Sequence, residues 1–258
     1  KEYRRQRQMC IRDRYNHQDI RLVLERASAR ETAMRTAIGA IAAEVLEELG
    51  IEVTGYVSAI GGITYKNNIK DKIERDKVTE SEVGCPEVAT SKLMEEEILS
   101  ARKNKDTLGG SITCVATGVP ATIGSFVHWD KKLDAILAKQ FMSVQSVKAV
   151  EIGKGVDIAK KFGTEVQDQY SLDGKKITKI SNNLGGFEGG MTNGEELHIT
   201  AYLKPISTTL TPINSIDLAE KIETETVYER SDTCAVPRAI PIFEAITVSY
   251  THLRAHET

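Results

Sequence analysis

The 258-residue chain has no apolar run approaching the roughly 18–20 residues that a membrane helix needs, which excludes a helical membrane span. It has no basic excess either. Its 34 Lys plus Arg stand against 37 Asp plus Glu, for a net charge of -3 and a pI near 6.0, which argues against a nucleic-acid binder relying on phosphate neutralisation. Cysteine is sparse: Cys10, Cys85, Cys114 and Cys234 form neither a paired metal-ligand spacing nor a dense disulfide framework, so a reducing, cytoplasmic setting is expected and no metal. No short internal repeat is visible. What is present is ordinary for a globular protein: 40% hydrophobic and 28% charged residues, too apolar for intrinsic disorder, over a length that allows one large domain or two modest ones.

The ends differ from the body. Residues 1–14 carry Lys1, Arg4, Arg5, Arg7, Arg12 and Arg14 against only Glu2 and Asp13, so the remainder is more acidic than the whole. MCIRDR at one end and SYTHLRAHET at the other resemble translated adaptor sequence. The first also lacks the pattern of a transit or signal peptide. Residues 1–14 and 249–258 are therefore expected to be non-native tails around a body of 15–248.

Within that body, Ile20, Val23, Ala27, Met34, Ile38, Ile41, Val45 and Leu49 recur at steps of three, four or seven, which predicts one helix from about Asp19 to Leu49 with this stripe inward. Gly50 supplies its stop. The many small residues between Ala27 and Ala43 allow close approach of another helix, which predicts a buried central helix. Strands are expected at 51–60, 111–118, 175–180 and 196–204, and helices at 87–104, 130–141 and 237–248. Residues 65–82 read as a polar connection. In 87–104 the expected inward residues are Val88, Leu93, Ile98 and Leu99, and in 130–141 they are Leu133, Ile136, Leu137 and Phe141. Helices interleaved with separated strands exclude an all-α or all-β fold.

Four polar constellations stand on this scaffold. In the first, Arg26 and Arg30 lie four residues apart on one helix face, with Glu31 and Arg35 as a second such pair. A solvated, ion-paired face is one reading; the surrounding alanines favour buried guanidinium groups that need anionic partners. The second, 181–194, has five glycines in ten residues, which admit a ligand close to the backbone, yet it is not a dinucleotide fingerprint, because no strand runs directly into it. The third, Lys204-Pro205-Ile206-Ser207-Thr208-Thr209, sets an ammonium and three hydroxyls at a strand end, which suits phosphate oxygens. The fourth is Arg230-Ser231-Asp232-Thr233-Cys234. A helix N-cap explains its Asp or Thr but not Arg230.

In this order, LERASARETAMR, FMSVQSVKAVEIGKG, SNNLGGFEGGMTNGEE, LKPISTT and YERSDTCAVPRAIPIFEA resemble the chorismate synthase family across about residues 15–248. Two positions depart from the common pattern: Glu229 stands where many members have Gly, and Ser231 where many have His. The resemblance implies an α+β fold, a β-α-β sandwich with long central helices between two antiparallel sheets. It also implies a homotetrameric, FMN-dependent lyase that converts 5-enolpyruvylshikimate 3-phosphate to chorismate by 1,4-elimination of phosphate. Reduced FMN is required without net redox change, with NADPH as a possible reductant.

Carried over residue by residue, the resemblance implies flavin contacts at Arg26, Ala27, Ser28, Gln145, Ser146, Gly189, Lys204, Pro205, Ile206, Ser207, Thr208 and Arg230. Arg30 and Arg230 would neutralise the carboxylate and phosphate of the substrate, a task suited to a guanidinium fork. The catalytic assignments are Asp232, near the flavin N5 as proton acceptor, and Ser28. The family's Gly-Glu-Ser-His and Arg-Pro-Gly-His segments, which carry its two acid histidines, are absent here. His17 does not replace them and is expected at the surface, and His128, His198, His252 and His256 match no catalytic motif. This stretch alone is therefore expected to be inactive, and the competing reading is a non-catalytic FMN- or anion-binding module.

Overall fold

The structure is a computed structural model and describes residues 11, 14–19, 21–66, 68, 69, 71–217, 220–226 and 231–255. Cys10, Ile20, Arg230 and His256 lie outside these residues. Helices α1 (Arg21–Ala27) and α2 (Arg30–Glu48) lead into strand β1 (Glu52–Ile60), followed by β2 (Ile63–Thr64) and helices α3 (Arg75–Glu80) and α4 (Val88–Lys103). Then come β3 (Gly110–Thr117), α5 (Leu133–Met142), β4 (Val147–Ile152), the short helices α6 (Gly155–Ile158) and α7 (Gly163–Val166), and the hairpin β5 (Tyr170–Asp173) with β6 (Lys176–Lys179). The chain closes with β7 (Phe187–Glu188), β8 (Met191–Thr192), β9 (Leu197–Leu203), the hairpin β10 (Asn214–Asp217) with β11 (Ile222–Glu225), and the long helix α8 (Val236–Ala255).

Five strands form the main sheet in the order β2-β1-β3-β9-β4, every pairing antiparallel. The other described sheets are two-stranded, among them β5-β6, β7-β8 and β10-β11. Period-2 alternation sorts the main sheet: Val57, Ile112, Cys114, Leu197, Ile199 and Ala201 are buried towards the helices, with Phe141 of α5 and Phe243 of α8. The two rings pack with centroids 5.0 Å apart. Burying each contributes about 1.5–3 kcal/mol.

The expected single helix from 19 to 49 is broken at Ser28–Ala29. The Ser28 hydroxyl donates back to Leu24 O and accepts the Arg30 amide, and a serine that bonds its own backbone in this way competes with helix continuation. The direction of the stripe is also corrected. The buried residues of α2 are Thr32, Gly39, Ala42 and Leu46, while Met34, Ile38, Ile41 and Val45 are exposed. The cause is Gly39: a Cβ there would fall well inside contact distance of Ala245 Cβ, so the small-residue face of α2 lies directly on α8. In α4 the inward residues are Thr90, Ser91, Met94 and Ala101, with Ile98 packed at the core margin and Val88, Leu93 and Leu99 exposed. The connection at 65–82 contains α3. At the other end α8 continues past Val248 to Ala255, and its buried Thr251 donates to Thr247 O at 2.8 Å.

Candidate active site

Strand β9 spans about 20 Å from Leu197 to Leu203. At the Leu203 end, the Lys204 amide donates to Ser146 O at 2.9 Å, so the Lys204–Thr208 run leaves the sheet beside the turn that carries Gln145 and Ser146. Lys204 Nζ donates to Ser207 Oγ at 2.7 Å, and Thr107 Oγ1 donates to Ile206 O at 2.6 Å. Thr208 Oγ1 donates to Ser231 Oγ at 2.7 Å, which attaches the segment bearing Asp232, and Leu108 N donates to Thr233 O at 2.9 Å, which docks that segment beside β3. Helix α2 reaches the same end through Arg35, whose Nη1 donates to Ser143 Oγ at 2.6 Å.

Four of the five sequence segments therefore meet at one end of the sheet. Pro205, Ser207 and Asp232 are exposed there, and Ile206, Lys204 and Thr208 are half-buried. Ala27 and Ser28 are half-buried, whereas Arg26 and Arg30 are exposed, which corrects the expectation of buried guanidinium groups. Arg30 pairs with Glu25 at 3.1 Å, both side chains at least 60% exposed; such a pair contributes only about 0–1 kcal/mol and leaves the guanidinium accessible to a stronger anionic partner. Arg230 lies outside the described residues. Two acceptor atoms at this end, Gln145 Oε1 and Glu31 Oε2, are buried without a hydrogen-bond partner among the described residues. A buried acceptor in that state calls for an incoming N–H or O–H group.

The glycine segment occupies the other end of β9. Asp168 organises it by accepting from Ser181 Oγ at 2.6 Å, Asn183 N at 2.7 Å and Leu184 N at 3.1 Å. Partial burial works to raise the Asp168 carboxyl, but these three donors hold it below its ordinary value. Asn182 closes the turn, donating to Glu196 O and accepting from Gly186 N, both at 2.8 Å. Gly190 O receives the Leu133 amide at the start of α5, so α5 runs from the glycine end towards the Gln145 turn. Gly189 is exposed and has no neighbour within 4 Å of a built Cβ. Among the described residues, Gly189 lies at the glycine end of β9 and Lys204 at the opposite end.

Sequence reasoning named Arg35 only as half of an i,i+4 ion pair and passed over Ser143 and Asp168. Arg35 had a visible signal, an acidic partner one turn away. The other two had none, because their partners are backbone groups, a hydroxyl 13 positions away or a residue more than a hundred positions distant. The thiols of Cys85, Cys114 and Cys234 are unpaired and pushed up by burial, which disfavours a nucleophilic role. Among the described residues no cluster of three or more His, Cys, Asp or Glu is placed to hold a metal ion, and no helix is long and apolar enough to cross a membrane. His17 and His128 are exposed and His198 is buried.

Fold and site define a mixed helix-and-sheet protein whose sheet gathers an ammonium, several hydroxyls and two unpartnered buried acceptors at one end. The family model for chorismate synthase matches residues 7–252. The chain is 43% identical over 242 residues to the chorismate synthase of Geobacter sulfurreducens, covering 90% of this chain and 62% of that protein. It is 46% identical over 239 residues to that of Listeria welshimeri, covering 90% and 61%. A crystal structure of chorismate synthase superimposes with a TM-score of 0.80 at 32% identity, over 97% of this chain and 70% of the other. The chain belongs to the chorismate synthase family, and it spans about three fifths of the length of these curated relatives.

Proposed function

We propose that this chain is the larger part of an enzyme that eliminates phosphate from 5-enolpyruvylshikimate 3-phosphate to give chorismate, with reduced FMN as cofactor and NADPH as its reductant. The observation that carries the reading is the meeting of Lys204–Thr208, Gln145–Ser146, Ser231–Asp232 and the start of α2 at one sheet end. The residues fit FMN. Gln145 Oε1 seeks a donor of the kind its ring imide or ribityl hydroxyls offer, while Lys204, Ser207 and Thr208 offer donors to phosphate oxygens. When bound, reduced flavin supplies electron density as the allylic phosphate departs.

In this reading Arg26, Ala27, Ser28, Gln145, Ser146, the run Lys204–Thr208 and Arg230 hold the cofactor, and Gly189 joins them in the assembled homotetramer. Arg30 and Arg230 bind the substrate anions, where two parallel N–H groups match a carboxylate or phosphate better than an ammonium does. Asp232 is the proton acceptor and Ser28 stands beside the reacting groups. The enzyme is cytoplasmic. The second reading is a flavin- or anion-binding module without catalysis.

Flavin fluorescence titration tests the site without needing turnover. A charge reversal at Lys204 or Arg230 should weaken FMN by about 10- to 150-fold, the scale of one charged hydrogen bond. The same reversal at Lys72, in the exposed connection, should leave affinity unchanged. Equal affinities for all three variants would sink the site.

A further inference from the structure

We propose that Arg35, oriented by Glu31, is a positioning residue of the flavin site: it clamps α2 to the turn that carries Gln145 and Ser146. The inference rests on the reading above for its ligand, and on geometry for the clamp itself.

An i,i+4 Glu–Arg pair on a helix is ordinarily a solvated surface contact. This one is not. Both side chains are less than a third exposed, Arg35 Nε donates to Glu31 Oε1 at 2.6 Å, and Nη1 of the same guanidinium donates to Ser143 Oγ at 2.6 Å. One planar fork thus holds two elements 108 positions apart, which the point charge of a lysine would not reproduce.

Ser143 is a well-chosen anchor. Its hydroxyl donates to Gln140 O at 2.7 Å and its amide bonds Lys139 O and Gln140 O, so it terminates α5. The three residues after it make the turn into β4: Val147 N donates to Val144 O at 3.2 Å, and Ser146 sits at φ +74°, a conformation that a residue with a Cβ adopts only when its surroundings require it. Ser146 O then receives the Lys204 amide. Arg35 is therefore the first member of a relay running α2, Ser143, Ser146, Lys204, which joins three of the segments assigned to the flavin. The buried, unpartnered Glu31 Oε2 and Gln145 Oε1 belong to the residues at the two ends of its first half. Displacing the clamp would move those acceptors relative to Lys204 without touching any ligand directly.

The experiment combines FMN titration with hydrogen exchange on the 258-residue chain and its Arg35→Ala, Arg35→Lys, Ser143→Ala and doubly substituted forms. Arg35→Ala should weaken FMN about 10-fold, Arg35→Lys should not restore it, and the double substitution should be no worse than Arg35→Ala alone, because both residues act through one contact. The amides of Val147 and Lys204 should exchange faster, while those of Gly186 and His198, at the other end of β9, should keep their protection. Ser143→Ala is the milder change and decides the matter if Arg35→Ala does not fold. Unchanged affinity in the folded variants, or additive losses, would overturn the positioning role even with faster exchange. If the unsubstituted chain binds no FMN, the flavin reading fails, and unchanged exchange at Val147 and Lys204 would then overturn the clamp as well.

Discussion

At the Leu197 end of β9 the chain folds back on itself through backbone. Gly153 N donates to His198 O, His198 N to Gly185 O and Lys154 N to Asn183 O, with the Asp168 carboxylate collecting the amides left over. At the Leu203 end the backbone ties of Lys204 to Ser146 and Leu108 to Thr233 are joined by ties from side chain to side chain: Thr208 to Ser231, Lys204 to Ser207, Arg35 to Ser143. The first kind of closure is close-packed and tolerates little change. The second leaves hydroxyls and an ammonium that can exchange internal partners for those of a ligand, beside two buried acceptors that have no partner among the described residues. The glycine end is thus built as a rigid knot and the lysine end as an adaptable cradle, with α5 between them.

That contrast is broken most forcefully at Gly153. It has φ +58°, and a Cβ there would sit 2.6 Å from Gly185 N and closer still to Asn183 O, with no flexible side chain to give way. Gly153→Val should combine left-handed strain with overpacking, for a loss of about 2–6 kcal/mol in a denaturant melt. A loss below about 1 kcal/mol would mean the knot is softer than its contacts imply.

Asp168 sharpens the same comparison with pH. Its folded carboxyl lies below the ordinary value, so the stability it contributes is present above the unfolded value, near 3.9, and is lost as pH falls through the folded one. Melting temperature of the parent chain should therefore fall below about pH 4. Asp168→Asn, which turns an acceptor into a donor facing other donors, should lower stability by about 1–3 kcal/mol at neutral pH and flatten that acid limb. An acid limb as steep in Asp168→Asn as in the parent would assign the effect to other carboxylates.

The scaffold was legible in sequence wherever one periodicity spoke alone. The β-branched run from Ser111 and the strand expected at 196–204 became β3 and β9, and Leu133, Leu137 and Phe141 form the buried face of α5. The reading failed where two faces were both apolar. Helix α2 carries large residues at Met34, Ile38 and Ile41 and small ones at Gly39 and Ala42, and size alone favoured the wrong stripe. Tertiary approach decided it, because only the small face lets Ala245 come close. The break at Ser28 was hidden for a related reason, since Ser in a helix is unexceptional until its hydroxyl is seen bonding Leu24 O. As for the site, charged and hydroxyl residues announced themselves, and the motifs in order identified the family. Which segments share a sheet end could not be read, because it depends on strand order and on contacts such as Arg35 with Ser143.

The smallest effect tests the cradle at its weakest joint. Thr208 and Ser231 share one hydroxyl–hydroxyl bond at 2.7 Å in an exposed setting, so removing it should cost the fold only about 0.5–1 kcal/mol, and water can replace the partner of either group. If the lysine end serves a ligand, its effect on binding should exceed its effect on stability. Thr208→Val would then weaken FMN several-fold while shifting the melting temperature little, and Ser231→Ala would reproduce the loss only in part, since Thr208 keeps its own hydroxyl for the ligand. A double-substitution cycle separates the two contributions. Equal, small effects of both substitutions on binding and on stability would mean that the Thr208–Ser231 bond is a surface tie, and that the segment bearing Asp232 is held to the site chiefly by the Leu108–Thr233 backbone contact.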